Sequence, residues 1–369
     1  MKEQTIDMDT LQNMLEKGEP LTILDVRHGQ DYQEWAIPGS AHVDAYDALK
    51  RKDPQALKTV QLQSDRPVVT VCGAGVVSLE AAHQLRQQGY DALSLQGGMK
   101  AWSLAWNSAT VPAKSPDWHI IQLRRTGKGC LSYLVGSGKE AAVIDAALDP
   151  EIYLNLAQKH GWQITHVLDT HIHADHLSRS RRLAEISGAR LYLPAQERVT
   201  FPFAAVHDQD VLNVGSIQIK AIHTPGHTLA SMCYLINDEA LLTGDTLFLT
   251  AVGRPDLEAD ADNARRRAHL LYGSLQKLLD LPPETIILPG HTSEPVAFDG
   301  EPIATPLAQV QQETAVLALP EAKFVDTLLQ KLPETPPNHH RIVELNEAGE
   351  LPEGNVTDLE AGANRCAVG

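Results

Sequence analysis

An α/β chain of two units is what this sequence predicts, and three observations predict it. Its 369 residues are more than one ordinary hydrophobic core organises, so two domains are expected. Residues 1–106 alternate short apolar strands with helical stretches, whereas residues 118–369 hold a series of short strands that end in metal-capable side chains. Between them lies a polar connection, 107–117, which contains two prolines, Pro112 and Pro116, and has the composition of a linker.

Composition limits the function classes. Hydrophobic residues make up 43%, enough for real cores, and no apolar run approaches the length that spans a bilayer. A net charge of −16 opposes a phosphate-backbone partner, so neither nucleic acid nor membrane is expected. The start, Met1-Lys2-Glu3-Gln4-Thr5, has no apolar signal region, which leads to a cytoplasmic expectation. Cys72, Cys130, Cys233 and Cys366 are widely spaced, as reduced thiols are, rather than as a disulfide frame.

In the first unit, Leu21 to Val26 and Pro67 to Val71 read as strands, Ser78 to Gln88 as a helix closed by Gly89, and Ala92 to Leu95 as a last strand. The stretch Val69-Thr70-Val71-Cys72 followed by Gly73-Ala74-Gly75-Val76-Val77-Ser78 is a strand ending in cysteine, a glycine-rich loop and a helix start. Such a loop curls amide N–H groups inward beside a helix N-terminus, forming a cradle for an anionic sulfur on Cys72 and depressing its pKa. With Asp25-Val26-Arg27, Glu34, Ile37-Pro38-Gly39-Ser40, Gly97-Gly98-Met99 and Ala101-Trp102, the unit resembles a single rhodanese domain. The resemblance implies that Cys72 is a sulfur-carrying nucleophile. Val77 stands where that family carries arginine, and Trp35-Ala36 where it carries Gly-His. Losing the arginine removes a fixed cation from the rim, which disfavours thiosulfate more than a persulfide.

In the second unit, Trp118 to Leu123, Cys130 to Val135 and Ala141 to Ile144 read as successive strands; Asp145, at the end of the third, is placed to orient a ligand. Ile164 to Leu168 is a buried strand, and Thr170-His171-Ile172-His173-Ala174-Asp175-His176 leaves its end. Imidazole and carboxylate are ligands of zinc and iron, and a strand-end loop points several of them at one centre. Three further apolar segments lead into Thr224-Pro225-Gly226-His227, Thr243-Gly244-Asp245 and Pro289-Gly290-His291. Ala264 to Leu279 has leucines at helical spacing and reads as a packing face. Cys130 and Cys233 fall in apolar strands and read as buried; His339-His340, beside a proline-rich connection, reads as a solvated turn. The four metal-capable motifs in this order resemble the metallo-β-lactamase superfamily, which implies an αββα sandwich of two mixed sheets with metal at one edge.

Within that superfamily, Gly244-Asp245-Thr246-Leu247-Phe248 with Val252-Gly253-Arg254-Pro255-Asp256, and the tail Ala363-Asn364-Arg365-Cys366-Ala367, are similar to the persulfide dioxygenase (ETHE1-like) family. Asp299 to Pro306 looks like an insertion. The resemblance implies one Fe(II) per chain held by His171, His227 and Asp245, with His173, Asp175, His176 and His291 around them as outer partners. It further implies Arg254, Asn364 and Arg365 as substrate contacts, glutathione persulfide and O2 as substrates, and sulfite and glutathione as products. The rhodanese unit would exchange sulfane sulfur through Cys72, onto glutathione or onto sulfite to give thiosulfate; a homodimer is the expected assembly. The same histidines and carboxylates also fit a glyoxalase II-like thioester hydrolase with one or two zinc ions, in which His171, His173 and His227 hold one metal, Asp175, His176 and His291 the other, and Asp245 bridges.

Overall fold

The computed structural model describes residues 4–352, 354, 356–362 and 364–369; Met1 to Glu3, and Ala363 of the C-terminal motif, lie outside them. In the first unit, β1 (Thr5–Ile6), β2 (Thr22–Asp25), β3 (Ala41–His42), β4 (Val68–Val71) and β5 (Ala92–Leu95) form a sheet in the order β1-β5-β4-β2-β3. Every neighbouring pair is parallel. β4 is buried throughout, as a parallel strand covered on both faces must be. Val68 and Cys72 join Ala81, Ala82 and Leu85 of the Val77–Gln87 helix on one side. Val69 and Val71 pack with Leu11, Leu95 and Trp102 on the other.

The expected 107–117 linker is shorter than its composition suggests. Asn107–Val111 is a strand, β6, paired antiparallel with β7 (Trp118–Arg125). Its period of two decides this: Asn107, Ala109 and Val111 are buried while Ser108 and Thr110 are exposed, the alternation of a half-buried strand. Both prolines lie beyond β6, so only 112–117 connects.

From β6 and β7 the sheet continues through β8 (Cys130–Ser137), β9 (Glu140–Ile144), β10 (Gln163–Leu168), β11 (Arg190–Pro194) and β12 (Ala204–Val206), seven strands in reverse chain order. A second sheet holds β13 (Val211–Val214), β14 (Ile217–His223), β15 (Met232–Ile236), β16 (Ala240–Gly244), β18 (Ile286–Pro289) and β19 (Thr305–Pro306) in that order. A short pair, β17 (Val252–Gly253) with β20 (Ala367–Val368), brings the C-terminus back. Both large sheets are mixed: β9 to β12 pair in parallel and β6 to β9 antiparallel, while β16 and β18 are the parallel pair of the second sheet. Alternating residues make the sandwich: Ile120, Tyr133, Val135 and Leu168 face Ile219, Met232, Tyr234 and Leu242 between the sheets. The intervening residues meet helices outside, Leu134 and Val167 with Tyr153 and Leu183, Leu235 and Leu241 with Leu271 and Phe324. This is the αββα architecture expected.

Asp299 to Pro306 is built into the sandwich. Ile303 receives and donates backbone bonds with the buried Gln122 amide (2.9 and 2.8 Å), Asp299 binds Arg124 at 3.0 Å, and β19 extends the second sheet. Contacts also join the two units. Trp35 is buried with its ring 3.2 Å from where a Cβ on Gly129 would lie, Arg125 donates to the Ser103 carbonyl at 2.7 Å, and Arg365 pairs with Glu34. The Trp35-Ala36 departure thus has a packing use at the boundary.

Candidate functional site

The ends of β9, β10, β14, β16 and β18 deliver Asp145, the 171–176 loop, His227, Asp245 and His291 to one rim of the sandwich. Donor atoms of His171, His227 and Asp245 all lie within 4.8 Å of one another, and all three residues are buried. Asp245 Oδ2 is 3.9 Å from His171 Nε2 and 3.7 Å from His227 Nε2, too far for hydrogen bonds. That oxygen has no hydrogen-bond partner although it is buried. An unpaired buried carboxylate oxygen is costly, and a cation ligated by all three groups at about 2.1 Å would remove the cost. The donor set therefore fits a metal ion.

Each candidate ligand is held by a partner on its other atom. His227 Nδ1 donates to the Arg254 carbonyl at 2.8 Å; a carbonyl only accepts, so Nε2 keeps its lone pair. Asp145 accepts the Thr170 N–H at 2.7 Å and the Thr170 hydroxyl at 2.9 Å. With its proton committed, that hydroxyl accepts from His171 Nδ1 at 2.9 Å, which again frees Nε2. Burial, aided by His173, holds His171 well below the ordinary imidazole range against the pull of Asp245, and burial likewise lowers His227. Both are neutral rings, the form that binds metals. Asp245 Oδ1 is 2.5 Å from His291 Nδ1, leaving Oδ2 for the metal. Gly290 makes this possible, since a Cβ there would lie 2.7 Å from Asp245 Oδ1.

His173 stays beside His171, their ring centroids 4.3 Å apart. Its Nε2 lies 3.2 Å from Asp145 Oδ1, and its buried Nδ1 has no hydrogen-bond partner. His291 is held between carboxylates, with Nε2 2.9 Å from Asp175 Oδ2. Burial disfavours its charge, but Asp175 and Asp245 outweigh burial and keep it protonated well above the usual range. Asp175 also lies 3.0 Å from His176 Nδ1 and accepts from the Asn364 amide at 2.9 Å. The 171–176 loop is fixed from beneath by Asn346, which donates to the carbonyls of His173 and His176 at 2.8 and 2.9 Å.

Several expectations need correction. Arg254 is fully buried, and its five N–H groups are all committed, to Asp256 and to the carbonyls of Pro333, Glu334 and Arg365. It has no donor left for substrate, and its carbonyl is what serves the site. Arg365 turns to Glu34 and Glu334, whereas Asn364 and Cys366 of the tail motif reach the centre. Cys130 is not merely a strand residue: its Sγ lies 3.4 Å from Asp175 Oδ2 and 3.7 Å from His176 Nδ1. Cys130, Asp175, His176 and His291 form a second buried donor group within 4.8 Å. No sequence motif marked Cys130; it arrives because the start of β8 bridges to His291. The tail does fold back, and Cys366, buried near Asp245 and His291, has its thiol pushed well above the ordinary range by burial first and then Asp245.

In the first unit, Cys72 Sγ accepts from both the N–H and the hydroxyl of Ser78 at 3.3 Å. Ser94 supports that hydroxyl at 2.8 Å. Gly98, at φ +56°, lies so near the strand end that a Cβ would sit 2.1 Å from the Cys72 carbonyl, which is why the second glycine loop is glycine. Val76 is 70% exposed at the loop tip, whereas Val77 is buried in the core.

Residues 7–105 match the rhodanese-like domain and residues 125–291 the metallo-beta-lactamase superfamily. A hydroxyacylglutathione hydrolase of Rhizobium johnstonii is 37% identical over 153 residues, 41% of this chain and 56% of that protein. The chain thus spans a little over half the length of the curated relatives it matches. Among solved structures, a metallo-beta-lactamase from Staphylococcus aureus is 29% identical with a TM-score of 0.59, over 63% of this chain and 73% of that one. ETHE1 from Myxococcus xanthus is 26% identical with a TM-score of 0.55, over 62% of this chain and 98% of that one.

Proposed function

We propose that this chain, a rhodanese-like domain joined to a metallo-beta-lactamase domain, is a glutathione persulfide dioxygenase with a sulfurtransferase fused to it. The reaction is glutathione persulfide plus O2 and water giving glutathione, sulfite and two protons. Bound by His171, His227 and Asp245, Fe(II) would supply the redox chemistry that lets O2 react with a persulfide sulfur. The chain's own groups do the rest. Thr170 and the Arg254 carbonyl aim the two imidazoles, His291 turns Asp245 Oδ2 inward, and burial excludes bulk water. A cavity of about 230 Å³ lined by Phe248, Thr250, His291, Glu294 and Asn364 offers an approach to the centre. The name hydroxyacylglutathione hydrolase among the relatives supports a glutathione-borne substrate. At Cys72, a bound persulfide would hand its outer sulfur to sulfite, giving thiosulfate and the free Cys72 thiolate, or to glutathione. The proposed setting is a cytoplasmic homodimer; among the described residues no helix is long and apolar enough to cross a membrane.

The observation that carries this reading is the buried Asp245 Oδ2, left without a hydrogen-bond partner and facing Nε2 of His171 and of His227. A two-histidine, one-carboxylate set with open positions is the arrangement of non-haem iron oxygenases. The second donor group, with Cys130, and the buried, unpartnered Nδ1 of His173 favour a different reading, a binuclear thioester hydrolase. Side-by-side assays separate the two. The expected result is persulfide-dependent O2 uptake with sulfite formed and little hydrolysis of S-lactoylglutathione; hydrolysis without uptake refutes the proposal. A Cys72→Ser variant should keep O2 uptake and lose thiosulfate formation.

A further inference from the structure

A separate group of donors lies on the surface of the metal-binding unit. His339 and His340 begin the His339–Ala348 helix, and both face Glu258 on the segment after β17. His339 Nε2 is 3.4 Å from Glu258 Oε1, and His340 Nδ1 contacts the same oxygen. The three donor atoms lie within 4.8 Å of one another, at a cavity of about 690 Å³ that Asp256 and Asp260 also line.

The solvated-turn expectation does not account for this geometry. His339 Nδ1 lies 3.0 Å from the Pro336 carbonyl, which can only accept, so Nδ1 carries the proton. In the neutral ring Nε2 is then a lone pair facing a carboxylate oxygen, a repulsion that a cation shared between them would relieve. Protonating both rings would set like charges side by side, for their centroids are 3.9 Å apart. One divalent ion satisfies all three groups. Glu258 itself sits at φ +57°, a left-handed backbone that costs about 1 kcal/mol or more in a non-glycine residue. Its neighbours are already committed: Asp256 to Arg254 and Asp260 to the cap of the Ala261–Leu279 helix.

We propose that Glu258, His339 and His340 form a transition-metal site, of the class that takes Zn2+, with the fourth position left to water. Such an ion would clamp together two elements that hold the candidate metal centre. The segment bearing Glu258 also carries Arg254, whose carbonyl orients His227, and the helix bearing His339 and His340 carries Asn346, which holds the 171–176 loop. The site is thus structural or regulatory, and it does not depend on which reaction the buried centre performs.

The test uses full-length protein already loaded with iron, given Zn2+ and freed of excess metal, with zinc and iron counted in the same sample. The expected result is one further zinc per chain with iron retained, together with a higher Tm in zinc. His340→Ala and Glu258→Gln should weaken zinc binding by at least about a hundredfold, beyond what loss of an outer partner costs. The His340 side chain is 70% exposed, so its replacement spares the fold. Equal zinc in wild type and both variants, no zinc in wild type, or zinc that enters only as iron leaves would each overturn the proposal.

Discussion

The two candidate sites of this molecule are built in opposite ways. At Cys72 the sulfur is served by one local segment: strand, loop and helix start are contiguous, and both donors come from Ser78, six residues away. At the candidate metal centre three side chains from positions 171, 227 and 245 meet at strand ends; His227 and Asp245 are aimed by partners distant in sequence, and His171 by Thr170, which the distant Asp145 holds. A local cradle tolerates changes elsewhere in the fold, whereas an assembled centre depends on every element that carries one of its donors.

The largest separation of the two should come from the ligands. His227→Ala or Asp245→Ala should cut persulfide-dependent O2 uptake by at least about a hundredfold and leave sulfur transfer at Cys72 intact, as parallel assays on each variant would show. Loss of both activities would mean that the sites are not separable.

Next comes the support beneath the 171–176 loop. Glu360 is fully buried, binds Arg125 at 2.8 Å and Arg179 at 3.1 Å, and accepts the Leu177 N–H at 2.7 Å. Removing one member of such a buried network costs about 3–5 kcal/mol, so Glu360→Gln should lower the Tm sharply. Burial raises the Glu360 pKa, but Arg125 and Arg179 outweigh it and hold the carboxyl well below its ordinary value. Its folded pKa is depressed, so its stabilisation is complete above the unfolded pKa of about 4.3 and is lost as pH falls further. The Tm gap between wild type and Glu360→Gln should therefore narrow below about pH 4; a gap independent of pH would contradict this.

Thr170→Val removes the hydroxyl between Asp145 and His171 and should weaken metal binding about 10- to 100-fold, measured by competition with a chelator. The smallest effect is local. Ser78→Ala deletes one of two donors to Cys72 Sγ, a loss of about 1 kcal/mol, and should slow sulfur transfer about fivefold with O2 uptake unchanged.

The same contrast explains what the sequence could reveal. Of the expected cradle at Cys72, the contact from Ser78 was legible, because it lies a few residues along the same segment. The strand ends carrying His171, His227, Asp245 and His291 were legible too, since each motif is a few residues long. Cys130 was not, because its place beside Asp175 and His176 depends on β8 meeting the loop after β18. Nor could spacing show that His173 would turn to Asp145 or that Arg254 would spend all five donors inside the fold. β6 was hidden by composition, its polar Ser108 and Thr110 belonging to the exposed face of a strand.

The proposed centre has three protein ligands, His171, His227 and Asp245, and does not count His173 among them, so the iron content of His173→Ala tests it most directly. The prediction is about one iron per chain in His173→Ala, as in wild type, against almost none in His227→Ala. Equal loss of iron in both variants, or two metals per chain in the wild type that fall to one in His173→Ala, would contradict it.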